Sequence, residues 1–464
     1  MKKLNQWSIL IIAFFLSASL SAAEEKKPNI LILLADDLGY GELGCYGQKV
    51  IRTPNIDALA QQGMRFTDFY AGAPVCSPSR AVLMTGIHIG RLSIRGNKGY
   101  FAAEDAWDRV ALKKSEMTLA EMLKGAGYQT AFIGKWHVED ANDFSTWAYS
   151  RGFDYAVQEQ WAQSRGGKEF IYNKHYVNSD TEGIQYDEEA YDCIDEFRTE
   201  LALKYLDDEY EVARPLFLFM SYRSPHAHEL YIREKERYAD RGWPELQRTH
   251  ASRINMLDEQ IKRLLDKLEA MGELENTFIL FTSDNGPHAE KGHDHQFFKS
   301  SLGLRGYKRD LYEGGIRVPG IAYWPGKITS GQVSDYQISF HDVMPTLADV
   351  AGIESPVQTT GLSFAKTLLG QEQQGRGHHY WAFQGAGGGV KAYRQAVRMG
   401  NWKGVRYGNK GKTELYNLEN DLYEEKDVAG SFPELVERIN KIILKESQPS
   451  PHYPWAGELA GDKP

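Results

Sequence analysis

The chain has only 3 cysteines among its 464 residues, Cys45, Cys76 and Cys193. That is too few for the disulfide framework that staples small secreted domains. It also lacks any excess of positive charge, with 54 Lys and Arg against 63 Asp and Glu and a formal net charge of −9. This balance disfavours a nucleic-acid partner, and any anion site must be a local gathering of cations. Beyond the N-terminus no segment offers the roughly 20 uninterrupted apolar residues of a bilayer-spanning helix, so the mature chain is expected to have no membrane span. The sequence shows no internal repeat, and no His or Cys cluster stands at zinc spacing.

What is present begins with Met1-Lys2-Lys3, an apolar run from Ile9 to Leu16 and small residues from Ser17 to Ala23, the order of a secretory signal peptide. Residues 1–23 are therefore placed outside the fold, and the protein is expected to be exported, periplasmic or extracellular. No Cys lies near the cleavage site, which argues against a lipid anchor there. Cys45 and Cys193 can pair in an oxidising compartment or stay as buried free thiols.

The run from Pro28 to Ala35 is continuously apolar and ends in Asp36-Asp37-Leu38-Gly39, the pattern of a strand buried on both faces. Further strands are expected at 128–134, 216–221, 277–282 and near 318–323. Helices are expected from Pro54, at 119–124, about 187–210, 246–271 and 342–351. Strands alternating with helices predict an α/β fold with a large, mostly parallel central sheet flanked by helices. Beyond about residue 365 the texture changes. A Gly-rich stretch from Gly385 to Gly389 precedes paired strands over 394–407, turning at Gly400-Asn401, and a helix over 432–445. The organisation reads as a catalytic domain over 24–365 and a small α+β subdomain over 366–464, with an antiparallel sheet and a helix.

Polar residues gather at the predicted strand ends, where open α/β sheets place their sites. Asp36, Asp37, Asp284 and Asn285 supply three carboxylates and an amide oxygen, a donor set that suits a hard divalent cation such as Ca²⁺. Read singly, Asp-Asp-Leu-Gly is a cap or turn and Asp-Asn-Gly a turn. Gly134-Lys135-Trp136-His137 and Ser224-Pro225-His226 each follow a strand. Cys76-Ser77-Pro78-Ser79-Arg80 opens an apolar, helix-like segment; alone, its Cys also suits a small hydrophobe packed at a turn.

Taken together these motifs resemble the type I sulfatases (arylsulfatase and N-acetylgalactosamine-6-sulfatase-like) of the alkaline phosphatase superfamily, over about residues 28–350. The resemblance implies that Cys-x-Pro-x-Arg marks Cys76 for oxidation to formylglycine (3-oxoalanine) by a formylglycine-generating maturase. It implies one Ca²⁺ held by Asp36, Asp37, Asp284, Asn285 and the modified Cys76. It assigns Arg80, Lys135 and Lys308 to sulfate contacts, His137 to the formylglycine and His226 to protonation of the leaving oxygen. Lys308 lies in the longest match, residues 304–319, where Glu313-Gly314-Gly315 reads as structural. One departure is His228, which stands where the family has a second proline.

The expected substrate is a sulfated carbohydrate, of galactose or N-acetylgalactosamine type. His293, Asp294 and His295 of a His-Asp loop, with His88, Arg91, Asn97 and Arg305, are the candidate contacts; a solvent-facing polar loop is the alternative for 292–298. Two other functions stay open from sequence: a phosphonate or phosphodiester hydrolase of the same superfamily, and a catalytically silent glycan-binding protein.

Overall fold

The strand that opens the fold buries both of its faces, and its alternating side chains feed two separate cores. Ile30, Ile32 and Leu34 pack into one, while Leu31, Leu33 and Ala35 pack into the other. In the computed structural model, which describes residues 26–159, 174–227, 237–386, 392–408 and 411–454, this strand sits near the middle of a large sheet. The proposed signal peptide, His228 and Gly387 to Gly389 lie outside the described residues.

The sheet strands are β1 (Asn29–Asp36), β2 (Met64–Phe66), β3 (Gln129–Lys135), β4 (Tyr155–Glu159), β5 (Lys174–Val177), β6 (Ile184–Gln185), β7 (Leu216–Pro225), β8 (Thr277–Ser283), β9 (Gly320–Tyr323) and β10 (Gln332–Ser334). Their spatial order is β10-β2-β9-β8-β1-β7-β3-β4-β5-β6. The central five, β8-β1-β7-β3-β4, are all parallel. The flanks are not: β9 is antiparallel to both β8 and β2, and β5 is antiparallel to β4 and β6. The sheet is therefore mixed around a parallel centre. The expected strand near 318–323 exists but runs against its neighbour β8.

One core packs helices α2 (Cys76–Thr85), α3 (Leu119–Gly125) and α6 (Val343–Val350) on the sheet; the other packs α1 (Pro54–Gln62), α4 (Ile194–Asp208) and α5 (Glu245–Ala270). A complete capping box between Thr118 and Glu121 fixes the start of α3. The helix expected from Asp187 begins only at Ile194, because Cys193 is extended (φ −157°) at its N-cap. Cys45, half-buried, and Cys193, buried, are not joined by a disulfide.

The C-terminal subdomain is a four-stranded antiparallel sheet, β11 (His379–Gln384), β12 (Tyr393–Met399), β13 (Trp402–Tyr407) and β14 (Thr413–Asn417), packed by helix α7 (Pro433–Glu446). It is bolted to the catalytic domain by a buried ion cluster. Lys403 Nζ lies 2.8 Å from Glu313 and 2.9 Å from Glu424, and Glu313 also accepts from Arg317 and Tyr70. The Glu-Gly-Gly segment is thus structural, as the sequence reads.

Candidate active site

Sheet register brings the strand-end motifs together. Ala35 pairs with Ser283, Leu34 with Ser221 and Ser221 with Gly134. Asp36, Asp37, Asp284, Lys135 and the loop carrying His226 consequently leave one edge of the parallel centre. Gly134 is required there: its φ is +119°, and a Cβ would stand 1.9 Å from the Ser221 carbonyl oxygen.

Helix α2 delivers Cys76 to the same place. All ten of its residues are buried, so it is a core helix whose N-terminus, with its exposed amide dipoles, points at the carboxylates. Gly86 ends it in the left-handed conformation, donating its N–H to Val82 O. Cys76 Sγ is 3.5 Å from Asp36 Oδ1. Burial pushes the Cys76 thiol well up, so an unmodified sulfur stays protonated here and is a poor nucleophile.

Arg80, one turn further along, is the organiser. Its guanidinium donates Nε to Asp284 Oδ2 at 2.9 Å, and its Nη1 donates to Lys135 O and Ser221 Oγ, both at 2.6 Å. Its Nη2 lies 2.7 Å from Asp284 and 3.7 Å from Asp36. Lys135 Nζ contacts Asp36 Oδ2 at 2.6 Å. Lys308 Nζ contacts Asp37 Oδ2 at 2.8 Å and His226 Nε2 at 3.3 Å. His226 Nε2 is itself 3.4 Å from Asp37 Oδ2. Ligand atoms of Asp36, Asp37, Cys76 and His226 all lie within 4.8 Å of one another.

The electrostatics are those of a crowded ionic centre. Burial raises Asp36, but Lys135, Arg80 and Lys308 together hold it well below the carboxylate range. Burial and the neighbouring Asp36 charge push Asp284 the other way, up to about 7. Burial lowers His226, reinforced by Lys135 and Lys308, and lowers His137, reinforced by Arg109 and Lys135; both imidazoles are kept neutral. Three carboxylates thus face three cations, Arg80, Lys135 and Lys308, in a site with almost no solvent.

The residues fit a hard cation. Asn285 Nδ2 donates to Asp37 Oδ1 at 2.7 Å, while its Oδ1 is buried with no hydrogen-bond partner among the described residues. An orphaned amide oxygen beside converging carboxylates is a donor set that a divalent ion would satisfy.

The expected substrate contacts separate. Asn97 reaches the Cys76 loop, its Oδ1 accepting the Ser77 N–H at 3.2 Å. His293 is buried in a stack on His250, with ring centroids 3.8 Å apart, beside His288. His288 in turn lies 6.4 Å from the His226 ring. Asp294 is exposed and caps a local turn, while His295 packs on Tyr307. The 292–298 loop is therefore neither wholly a rim nor wholly solvent-facing.

Two further candidate contacts are placed against protein partners away from Cys76. His88 is held 3.0 Å from Glu446 in a pocket with Arg91 and His378, past the C-terminal end of α2, whereas Cys76 is at its N-terminus. Arg305 stacks on Tyr312 at 3.8 Å and donates to Tyr416 Oη and Glu424 O, where it ties the two sheets together.

Three residues the motifs do not single out belong to the arrangement. Ser221 bridges Arg80 and Lys135. Glu290 contacts Lys308 at 3.3 Å, and His288 Nε2 is 3.2 Å from Pro225 O. Each sits at a strand end or within a few residues of a recognised motif, which was the available signal.

Residues 28–353 match the family model described as Sulfatase, and residues 304–448 match that of the N-sulphoglucosamine sulphohydrolase C-terminal region. The chain is 30% identical over 444 residues to an arylsulfatase of Hemicentrotus pulcherrimus, covering 91% of this chain and 74% of that protein. It is 31% identical over 399 residues to the N-acetylgalactosamine-6-sulfatase of Canis lupus familiaris, covering 81% and 72% respectively. Among solved structures, Ps i-CgsB in complex with k-i-k-neocarrahexaose superposes with a TM-score of 0.76 at 25% identity, over 93% of this chain and 95% of that one. The PsFucS1 sulfatase from Pseudoalteromonas sp. gives 0.70 at 25% identity, over 90% and 89%.

Proposed function

The chain belongs to the sulfatase family and is a sulfuric ester hydrolase; from that premise we propose that it is exported and desulfates a glycan of galactose or N-acetylgalactosamine type, using formylglycine at position 76 and one Ca²⁺. The observation that carries this reading is the convergence of Cys76 with Asp36, Asp37, Asp284, Asn285, Arg80, Lys135, Lys308 and His226 at one sheet edge. The substrate preference is supported by the relative named N-acetylgalactosamine-6-sulfatase and by the His-Asp loop that approaches the site through His288.

Asp36, Asp37, Asp284 and Asn285 would hold the cation, which with formylglycine supplies a nucleophilic oxygen and charge stabilisation that a buried, protonated thiol cannot. Even with Glu290 counted beside Asp36, Asp37 and Asp284 against Arg80, Lys135 and Lys308, a divalent ion would leave the site net positive toward an anionic ester. Lys135 and Lys308 are directed into the site by Asp36 and Asp37, so they are preorganised to meet charge on the sulfuryl oxygens. Arg80 fixes Asp284 and the β3–β7 edge, which keeps that geometry rigid. His226, 3.3 Å from Lys308, would hold the proton that goes to the leaving alcohol. Burial, and after it the lysine charges, keep this imidazole neutral; a bound sulfate ester would offset the lysine part and so favour the protonated form. His137, two residues beyond Lys135, would assist release of sulfate.

The test is mass spectrometry of the peptide containing residue 76 from the native host, alongside paired turnover assays on an aryl sulfate and an aryl phosphodiester. Formylglycine in an active preparation with sulfate preference is expected. Unmodified cysteine throughout an active preparation would refute the mechanism, and a clear preference for the diester would transfer the activity to the phosphodiester branch of the superfamily.

A further inference from the structure

The nucleophile loop and the Lys308 segment share the wall of a second cavity. We propose that this cavity is a subsite for a second anionic group, a sulfate or carboxylate on a neighbouring sugar, so that the preferred substrate is a glycan charged on more than one residue. The inference rests on the sulfuric ester hydrolase reading of the Cys76 centre and names its substrate class.

The cavity has a volume of about 380 Å³, and its wall includes Val75, Asn97, Lys98, Arg309 and Arg394. Among the described residues no carboxylate lines it. In a chain with a net charge of −9, three cations gather on one wall that carries no carboxylate of its own, a local arrangement that favours an anion.

Its position ties it to the reaction. Val75 directly precedes Cys76, and Asn97 accepts the Ser77 N–H. Arg309 directly follows Lys308, and its own N–H donates to Pro74 O at 2.8 Å. A sugar chain leaving the Cys76 centre on this side therefore meets these cations next.

The two guanidiniums are oriented by partners outside the wall. Arg309 pairs with Glu290 at 2.5 Å. Arg394 pairs with Asp310 at 2.9 Å and lies 5.1 Å over the Tyr407 ring. A guanidinium has five N–H donors in a fixed fork, so one carboxylate partner leaves other edges for a sulfate or carboxylate ligand. Lys98 is exposed and can swing to meet the ligand.

The test uses the full chain carrying Cys76→Ala, with calcium present, titrated calorimetrically with a disaccharide sulfated on both sugars and with its singly sulfated counterpart. The doubly sulfated ligand is expected to bind about tenfold more tightly at low salt, the worth of one good charge-assisted contact. Adding Lys98→Glu should erase that preference, Lys98→Arg should retain it, and raising the salt should shrink it. Arg394→Gln should weaken the preference as well. Equal affinity for the two ligands, or a preference untouched by Lys98→Glu, would overturn the subsite. If the preference holds while the wild-type chain hydrolyses no sulfate ester, the subsite stands and the proposed function falls.

Discussion

Replacing Asp195 by Asn should slow catalysis without touching any group that meets the substrate. Asp195 is fully buried in the first turn of α4. Its Oδ1 accepts the Arg223 N–H at 2.7 Å, and its Oδ2 accepts the Ser224 N–H at 2.8 Å. These amides lead directly into Pro225 and His226, whose own N–H closes a turn on Arg223 O at 2.9 Å. Asparagine can serve only one of the two amides and turns an NH₂ toward the other. The loss of one charge-assisted hydrogen bond is about 1.5–3 kcal/mol, and the stranded donor adds about 1–3 kcal/mol. A domain with roughly 5–15 kcal/mol in hand stays folded at 20 °C. The loop, however, loses one of the two amide anchors that Asp195 supplies just ahead of His226, and a misplacement near 1 Å costs on the order of 100-fold in rate. Steady-state assays on an aryl sulfate, paired with urea unfolding, should show kcat down about 100-fold. KM should change little, because Lys135 and Lys308 are held by other carboxylates. If D195N unfolds more easily but keeps the wild-type kcat, Asp195 does not position His226 and the reasoning fails.

Other outcomes follow from the same geometry. Glu159 is fully buried between Arg198 and Arg223; burial raises it, but Arg223 and Arg198 bring it down to about 2. A depressed carboxylate stabilises the fold above its unfolded pKa of about 4.5 and loses that contribution as the pH falls through about 2. E159Q should therefore cost about 3–5 kcal/mol at neutral pH by stranding two guanidiniums, and its stability should vary less with pH between 4.5 and 2, as read by urea titrations at stepped pH. Gly134→Ala forces a side chain to 1.9 Å from Ser221 O at φ +119°, so circular dichroism should show a lowered melting temperature, and an unchanged one would contradict the close approach of β3 and β7. Chelation should lower the melting temperature reversibly. At calcium one hundred times its Kd the stabilisation is about 2.7 kcal/mol, and a transition indifferent to calcium would remove the ion from Asp36, Asp37, Asp284 and Asn285.

The long apolar runs of β1, β7 and β8 announced the parallel centre because a strand buried on both faces needs no alternation. The flanks were silent for the same reason in reverse. Met64–Phe66 and Gln332–Ser334 are three residues each, too short to carry a period, and Arg65 breaks the apolar pattern of the first. The direction of β9 depends on how residues 284–319 return, which local pattern does not encode. At the site, the charged motifs were readable because their residue types are chemically narrow. Ser221, Asp195 and Glu159 were not, since they act by holding backbone or arginines, and a serine or carboxylate in such a role looks like any other. The surroundings of His88 and Arg305 were equally silent, because their partners, Glu446 and Tyr416, come more than a hundred residues later.

The burial of Cys76 sets a clock. A side chain only 1% exposed, at the foot of a helix with all ten residues buried, is out of reach of any other enzyme once the molecule has closed. The oxidation to formylglycine proposed for it would have to happen while the chain is still open. Lys308, which lies over Asp37 in the finished site, is made 232 residues after Cys76. At synthesis rates of 5–20 residues per second that interval is roughly ten to fifty seconds. Anything that lets Asp284 and the Lys308 segment collapse onto α2 early would yield protein that is soundly folded and inert. Specific activity in a recombinant host would then report the race between maturation and folding rather than the quality of the fold.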